Sequence, residues 1–513
     1  MLPFPILTRI FEKMNVETIL RGAVFPTAPE ADCLAIGGGK ILAVGQEQQI
    51  AALAAETTQI VDLTGKAVLP GFIDAHTHFL QVGLKEIGFR TDLSGLNRAD
   101  TLARLAKAVK QRGEGEWVVG SGWDESGWQE RRYLSRDDLD RIAPNTPLIA
   151  VRIDGHLLAA NTHALKLIPP GVDQRLVDPD SGILREEAAF TFLRTIKPDS
   201  QTRSEAFHAA ATAAHRLGIT SVHTMIPPQR IRLYMHERGR LKLRVTVCPE
   251  TPSLDALEKL GIESGFGDEW LRLGGVKLFA DGSIGAGNAA VGIPYADSGT
   301  TGCLNYPDEE LILFVRRCER AGLQTVIHAI GDRAIEQVLN AHSVVGTSSE
   351  LRHRIEHFEL PTKTQIERAQ DLDLHISMQP NFVGNWSGDG KMYIDRLGEE
   401  RDQQIDPHRL VLDAGLPLAF GSDCMPMSPL HGLHWAVNAP HQNQRVSVEE
   451  AVTCYTENGA YFSFEEALKG KVEPGMLADL VVLDQDPRQV PEKIADLQVD
   501  MTFVGGKLVY KGN

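Results

Sequence analysis

Apolar and polar positions divide the chain into stretches with different periods. Between Val16 and Leu69 the segments "VETILRGAVF", "CLAIGGGKILAVG" and "TQIVDLTGKAVLPG" alternate apolar with polar residues and turn on glycines. That pattern predicts short strands joined by tight turns. The same style returns near the end, in "GMLADLVVLDQDP" and "MTFVGGKLVYKGN". Residues 1–69 and 470–513 are therefore expected to form one composite β-sandwich; two unrelated hairpin caps are the alternative. The middle of the chain carries unbroken apolar runs: "PGFIDAHTHF", "GITSVHTM", "LRVTVCPE", "GGVKLFADG", "LQTVIHAIG", "RHRIEHFEL", "LHISMQP" and "LPLAFGSDC". Runs apolar on both faces suit parallel strands covered by helices. Most are followed by a turn and a helical stretch, such as "DRAIEQVLNAHSVV". Eight such units predict an α/β fold, a (β/α)8 TIM-type barrel over residues 70–90 and 201–469. A doubly wound open sheet is the alternative, but no G-x-G-x-x-G follows an early strand, and "IGGGK" at 36–40 reads as a hairpin turn. Residues 91–200 fit neither period and are expected to be an inserted α+β subdomain.

Composition narrows the function classes. The 513 residues suggest about three domains at roughly 150 residues each. With 42% hydrophobic and 23% charged residues, disorder, collagen and coiled coil are excluded as whole-chain descriptions. Lys and Arg number 52 against 68 Asp and Glu, a net charge of −16, which argues against a nucleic-acid partner. Six cysteines without a C-x-x-C pair point to a reducing, cytoplasmic setting and away from a thiolate zinc site. No apolar run approaches the roughly 20 residues that span a bilayer, so no membrane partner is expected. The opening "MLPFPILTRI" is a weak signal peptide, lacking a basic start and a cleavage motif. A start at Met14 is an alternative expectation.

Candidate chemistry lies at the strand ends. His76 and His78 are two apart in "DAHTHF", so their imidazoles share a face in a strand and can grip one metal. Lys277 sits within "GGVKLFADG", His328 near the end of "QTVIHA", His357 at the end of "HRIEH" and Asp423 at the end of "LAFGSD". Any one of these would be read as a satisfied core residue. Six of them at the C-terminal ends of five strands coincide with the end of a barrel where active sites lie. Arg354 and Glu356 should point away from His357 and pair behind the barrel wall. His223 ends the second strand.

These segments resemble the amidohydrolase superfamily, in the branch called amidohydrolase family 3, which includes N-substituted formamide deformylases. "LPGFIDAHTH", "VKLFADGSIG", "HAIGDRA", "RIEHFEL", "SMQPNF", "GSDCMP" and "EPGMLADLVVLDQDP" carry the resemblance in order over nearly the whole chain. It implies that His76, His78 and Asp423 hold one divalent metal ion and that His328 and His357 hold a second. Lys277, carboxylated by CO2, would bridge them. Zinc is the expected metal, with manganese, iron or cobalt also suited. Water activated by the metals would attack a carbonyl, and Asp423 would take its proton and pass it to the leaving nitrogen. His156, Trp123 (beside Asp124), Asp281, Asp332 and Arg333 are candidates for binding a small-molecule substrate. The resemblance implies an Arg-Thr pair, common in relatives, where this chain has Gly287 and Asn288; if that arginine binds a substrate anion in relatives, a less anionic substrate is expected here. The expected activity is hydrolysis of a non-peptide C–N bond, an amide or N-formyl group. A mononuclear deaminase-type hydrolase and a non-catalytic regulatory protein on the same scaffold are the alternatives. A homodimer is the default assembly.

Overall fold

The computed structural model describes residues 15–112 and 115–512; the opening apolar segment and the expectation about Met14 lie outside the described residues. Eight parallel strands build the centre: β1 (Phe72–Thr77), β2 (Ile219–Ile226), β3 (Arg244–Pro249), β4 (Gly275–Phe279), β5 (Gln324–Ala329), β6 (Arg354–His357), β7 (His375–Met378) and β8 (Leu418–Phe420). Nearly every residue in them is buried. That explains why their sequences are apolar throughout rather than alternating. Hydrogen bonding arranges them as two arcs: β1, β2 and β3 with the short strand Leu271–Leu273, and β4 through β8 in order. The mixed α/β architecture follows from the helical segments that return between these strands, for example Ser200–Arg216 before β2 and Asp332–Val345 after β5. The latter stops at Gly346, whose φ of 66° is open to glycine at little cost.

The arcs meet at two seams. At one, the chain itself crosses from Leu271–Leu273 to β4 through Gly274, and Glu250 bridges Lys277. A Cβ at Gly274 would stand 2.9 Å from Cys248 Sγ. At the other, the Asp423 amide donates to the His76 carbonyl at 2.8 Å, and the Ser422 amide donates to Asp74 Oδ1 at 2.8 Å. Gly421 permits this approach, because a Cβ there would lie 2.4 Å from the His76 nitrogen. Both seams run past candidate ligands.

Two small sheets involve the chain ends. One holds Lys40–Gly45, Cys33–Gly37, Thr18–Arg21 and Gln59–Asp62 in that order; the other holds Lys507–Lys511, Val499–Val504, Leu480–Leu483 and Ala67–Pro70. Leu34 and Ile36 from the first share an apolar cluster with Val68, Leu480, Val482 and Phe503 from the second. Between Thr91 and Arg185 lies a separate six-stranded sheet. All six cysteines are unpaired. No helix among the described residues is long and apolar enough to cross a membrane.

Candidate metal centre

The strand ends bring titratable side chains to one place. His76 closes β1 one residue before its end, and His78 lies just past it. Lys277 is the third residue of β4, and His328 and His357 lie at the ends of β5 and β6. Asp423 follows β8 with φ of 47°. One ligand atom each from His76, His357 and Asp423 lie within 4.8 Å of one another. His78 Nε2 is 3.2 Å from Asp423 Oδ1, and His76 Nε2 is 3.8 Å from it. The His328 and His357 rings are 4.4 Å apart, and His76 and His357 are 4.8 Å apart.

The electrostatics suit a cation. Burial, with Lys277 nearby, holds the imidazoles of His76 and His357 well below their ordinary range; burial does the same for His328. Uncharged imidazole is the form that donates to a metal. Burial would raise the Asp423 carboxyl, but His76, His78 and Lys277 hold it below its usual value, so it is ionised. The Lys277 amine is 1% exposed, and Nζ has no hydrogen-bond partner among the described residues. Burial pushes it down to about 8, against the pull of Glu356 and Asp423. A buried amine without a partner is costly. Neutral nitrogens, one carboxylate and an orphaned amine that carboxylation would turn into an anionic oxygen donor are a donor set that fits divalent cations.

Partners behind the ligands fix which nitrogen is free. His76 Nδ1 contacts Glu356 Oε2 at 2.5 Å, which leaves Nε2 facing Asp423. His357 Nδ1 donates to Gln379 Oε1 at 2.7 Å, and His328 Nε2 donates to the Gly282 carbonyl at 3.0 Å. Such partners set tautomer and ring orientation. Glu356 corrects one expectation. It does pair with Arg354, at 2.8 Å, but not behind the wall. It reaches His76, and Arg354 donates to the Ala75 carbonyl at 2.8 Å, on a strand of the opposite arc. Both side chains therefore cross the interior. Strand alternation fails because His357 has φ of 74°, which turns its ring back to the same side as Glu356. Glu356→Gln should weaken metal binding by about 10–100-fold, because an amide cannot hold the His76 proton as a carboxylate does. It should also lower Tm, since it strips the counter-charge from buried Arg354. A metal-buffer titration beside thermal unfolding checks both.

A cavity of about 1460 Å³ opens in front of His78, Lys277 and Asp423. Of the five predicted substrate-binding residues only His156 lines it. Its Nδ1 contacts Glu186 Oε2 at 2.8 Å, and its ring is 5.2 Å from His328. Burial opposes its charging, but Glu186 and Asp154 prevail and raise it to about 9, an imidazolium. The remaining four are not brought to the cavity. Trp123 is fully buried beside Trp128, and its Nε1 donates to the Ala150 carbonyl at 3.0 Å; its neighbour Asp124 faces the cavity instead. Asp281 is fully buried and accepts from the amides of Ala290, Ile330 and Gly331, fastening the turns after β4 and β5. Asp332 accepts from the Gly292 amide at 2.7 Å, and Arg333 is exposed at the start of its helix. Glu186, Glu356 and Gln379 went unmarked as site residues; the only signal was a polar residue inside an apolar run, which Glu356 and Gln379 share.

A model described as the amidohydrolase family matches residues 59–510. The YtcJ protein of Bacillus subtilis is 30% identical over 88% of this chain and 91% of its own length. The N-substituted formamide deformylase of Arthrobacter pascens is 27% identical over 94% of this chain and 95% of its own. Among solved structures, an uncharacterized metal-dependent hydrolase from Pyrococcus furiosus superposes with a TM-score of 0.73 at 30% identity, covering 92% of this chain and 99% of that one. With ligands gathered at strand ends and a match that runs almost end to end, the chain belongs to the amidohydrolase family.

Proposed function

We propose that the protein hydrolyses a non-peptide carbon–nitrogen bond of the amide or N-formyl type. The observation that carries this reading is the gathering of His76, His357 and Asp423 around the unpartnered Lys277 amine at the inner end of a large cavity. Kinship with a formamide deformylase supports the bond type. The two arcs are read as halves of one (β/α)8 barrel, with residues 1–69 and 470–513 as its β-sandwich and 91–200 as its insert. His76, His78 and Asp423 would hold one divalent ion and His328 and His357 a second, with carboxylated Lys277 shared between them; zinc is the first choice. When bound, such ions make water acidic near neutral pH and polarise a carbonyl. The chain's own residues do the rest. Ionised Asp423 takes the proton of the attacking water and delivers it to the leaving nitrogen. His156, with Nδ1 engaged by Glu186, offers its Nε2–H to the substrate carbonyl oxygen.

A second reading has one observation in its favour. The trio His76, His357 and Asp423 is compact enough to hold a single ion, as in a mononuclear deaminase-type hydrolase. Metal content per chain, measured by mass spectrometry on protein purified without chelator, separates the two. It is paired with assays on N-formyl amines, N-acyl amines, lactams and carbamates. Two equivalents with amide hydrolysis is the expected result. One equivalent with ammonia released from an amino-heterocycle favours the second reading. Fully metal-loaded protein that cleaves nothing on the panel overturns the first.

A further inference from the structure

The cavity in front of the ligands holds two arginines that hydrolysis of a neutral amide does not need. Arg90 follows the helix Phe79–Glu86 that leaves β1, and Arg230 ends the short turn Pro228–Arg230 after β2. Both are half-buried, and both line the cavity. Neither guanidinium forms an ion pair or hydrogen bond with a described residue. The carboxylates nearby in the chain and on the same cavity wall are already engaged. Asp92 holds Lys85 at 3.1 Å, Glu86 holds Arg216 at 3.7 Å, and Arg194 takes Glu187 at 2.8 Å and Glu250 at 3.0 Å. Glu250 attracts Arg230 only from beyond ion-pair distance.

Two half-buried guanidiniums that share a cavity without counter-ions repel each other, and an anion held between them would relieve that repulsion. Burial brings Arg90 down to about 9, with Arg230 adding to the effect, so the two are near enough to repel. A planar guanidinium matches a carboxylate through two parallel hydrogen bonds. Arg230 sits just beyond the C-terminal end of β2, the end of the strands that carries His76 and His78, and Arg90 lies close enough to Arg230 to share one ligand with it. We propose that Arg90 and Arg230 bind a carboxylate of the substrate, so that the bond cleaved belongs to an N-acyl or N-formyl compound that also carries an acid group. This rests on the reading of the protein as a C–N hydrolase. It also revises the expectation of a less anionic substrate, which rested on Gly287 and Asn288 alone.

The test compares N-formylphenylalanine with N-formylphenethylamine, which lacks the carboxylate, on the metal-loaded enzyme. The acid should have the higher kcat/KM by about tenfold or more. Arg90→Gln and Arg230→Gln should each raise KM for the acid by about tenfold, with kcat within about threefold. Arg230→Lys should recover part of the loss. Because each Gln variant removes like-charge repulsion, its Tm should equal or exceed that of the parent, so a lost KM effect cannot be put down to unfolding. Equal kcat/KM for the two compounds overturns the proposal, as do variants that impair both equally. If neither compound is cleaved, it is the hydrolase reading that fails, and binding decides the arginine subsite. Phenylacetate should then bind more tightly than phenylacetamide by about tenfold in calorimetry, and the difference should vanish in the variants. A difference that survives both substitutions, or no preference for phenylacetate, overturns the subsite.

Discussion

Asp423→Asn should lower kcat by about 10²–10⁴-fold while leaving KM and the fold nearly unchanged. The carboxylate is the acidic group of the ligand cluster, and three neighbouring cationic or ionisable groups keep it ionised. Asparagine copies its shape and removes its basicity. The choice of Asn over Ala matters for the backbone. Asp423 has φ of 47° and Cys424 has φ of 61°, and Asn tolerates that left-handed conformation better than other non-glycine residues. The amide that donates to the His76 carbonyl at 2.8 Å also stays in place. Steady-state kinetics, circular dichroism and metal content on the same preparation check the result. A kcat within a few fold of the parent would remove Asp423 from proton transfer.

Lys277→Ala should abolish turnover and cost at least one equivalent of metal. Losing several kcal/mol of charge stabilisation corresponds to about 10³-fold or more in rate. The substitution also opens a void lined by Phe279 and the ligand side chains, because Nζ lies 4.7 Å over the Phe279 ring. A short carboxylic acid fits such a void and supplies the oxygens that carboxylated lysine would. Propionate should therefore restore part of the activity and the second metal equivalent. Its neutral analogue propionamide should restore neither. The metal-free variant should unfold no more easily than the metal-free parent, since an unpaired buried ammonium does not stabilise a fold. Retention of two metals and full activity in Lys277→Ala would show that the lysine is not a ligand.

The strands were legible because buried parallel strands leave uninterrupted apolar runs, and a polar residue inside such a run stands out. That is how His76, Lys277, His328, His357 and Asp423 could be picked from the sequence. What escaped was set by backbone angles and long-range contacts. Glu356 was assigned to the wrong side because alternation assumes extended φ, and His357 breaks it. Asp281 looked like a site residue, but its three backbone donors come from loops that only the fold brings to it. Trp123 looked like a pocket wall, yet its indole completes the core of a separate sheet. Arg90 and Arg230 carried no local signal, since an unpaired arginine is recognised only by what fails to surround it.

The strand Ala67–Pro70 pairs with Leu480–Leu483, so its hydrogen-bonding edge must wait for residues 480 − 70 = 410 positions later in the chain. At a ribosomal pace of about 5–20 residues per second, that interval is roughly 20–80 s. Throughout it, an apolar strand end stands unsheathed immediately before His76. Closure of this sheet is thus a late event in the life of the nascent chain, long after the first two histidines of the site have been made.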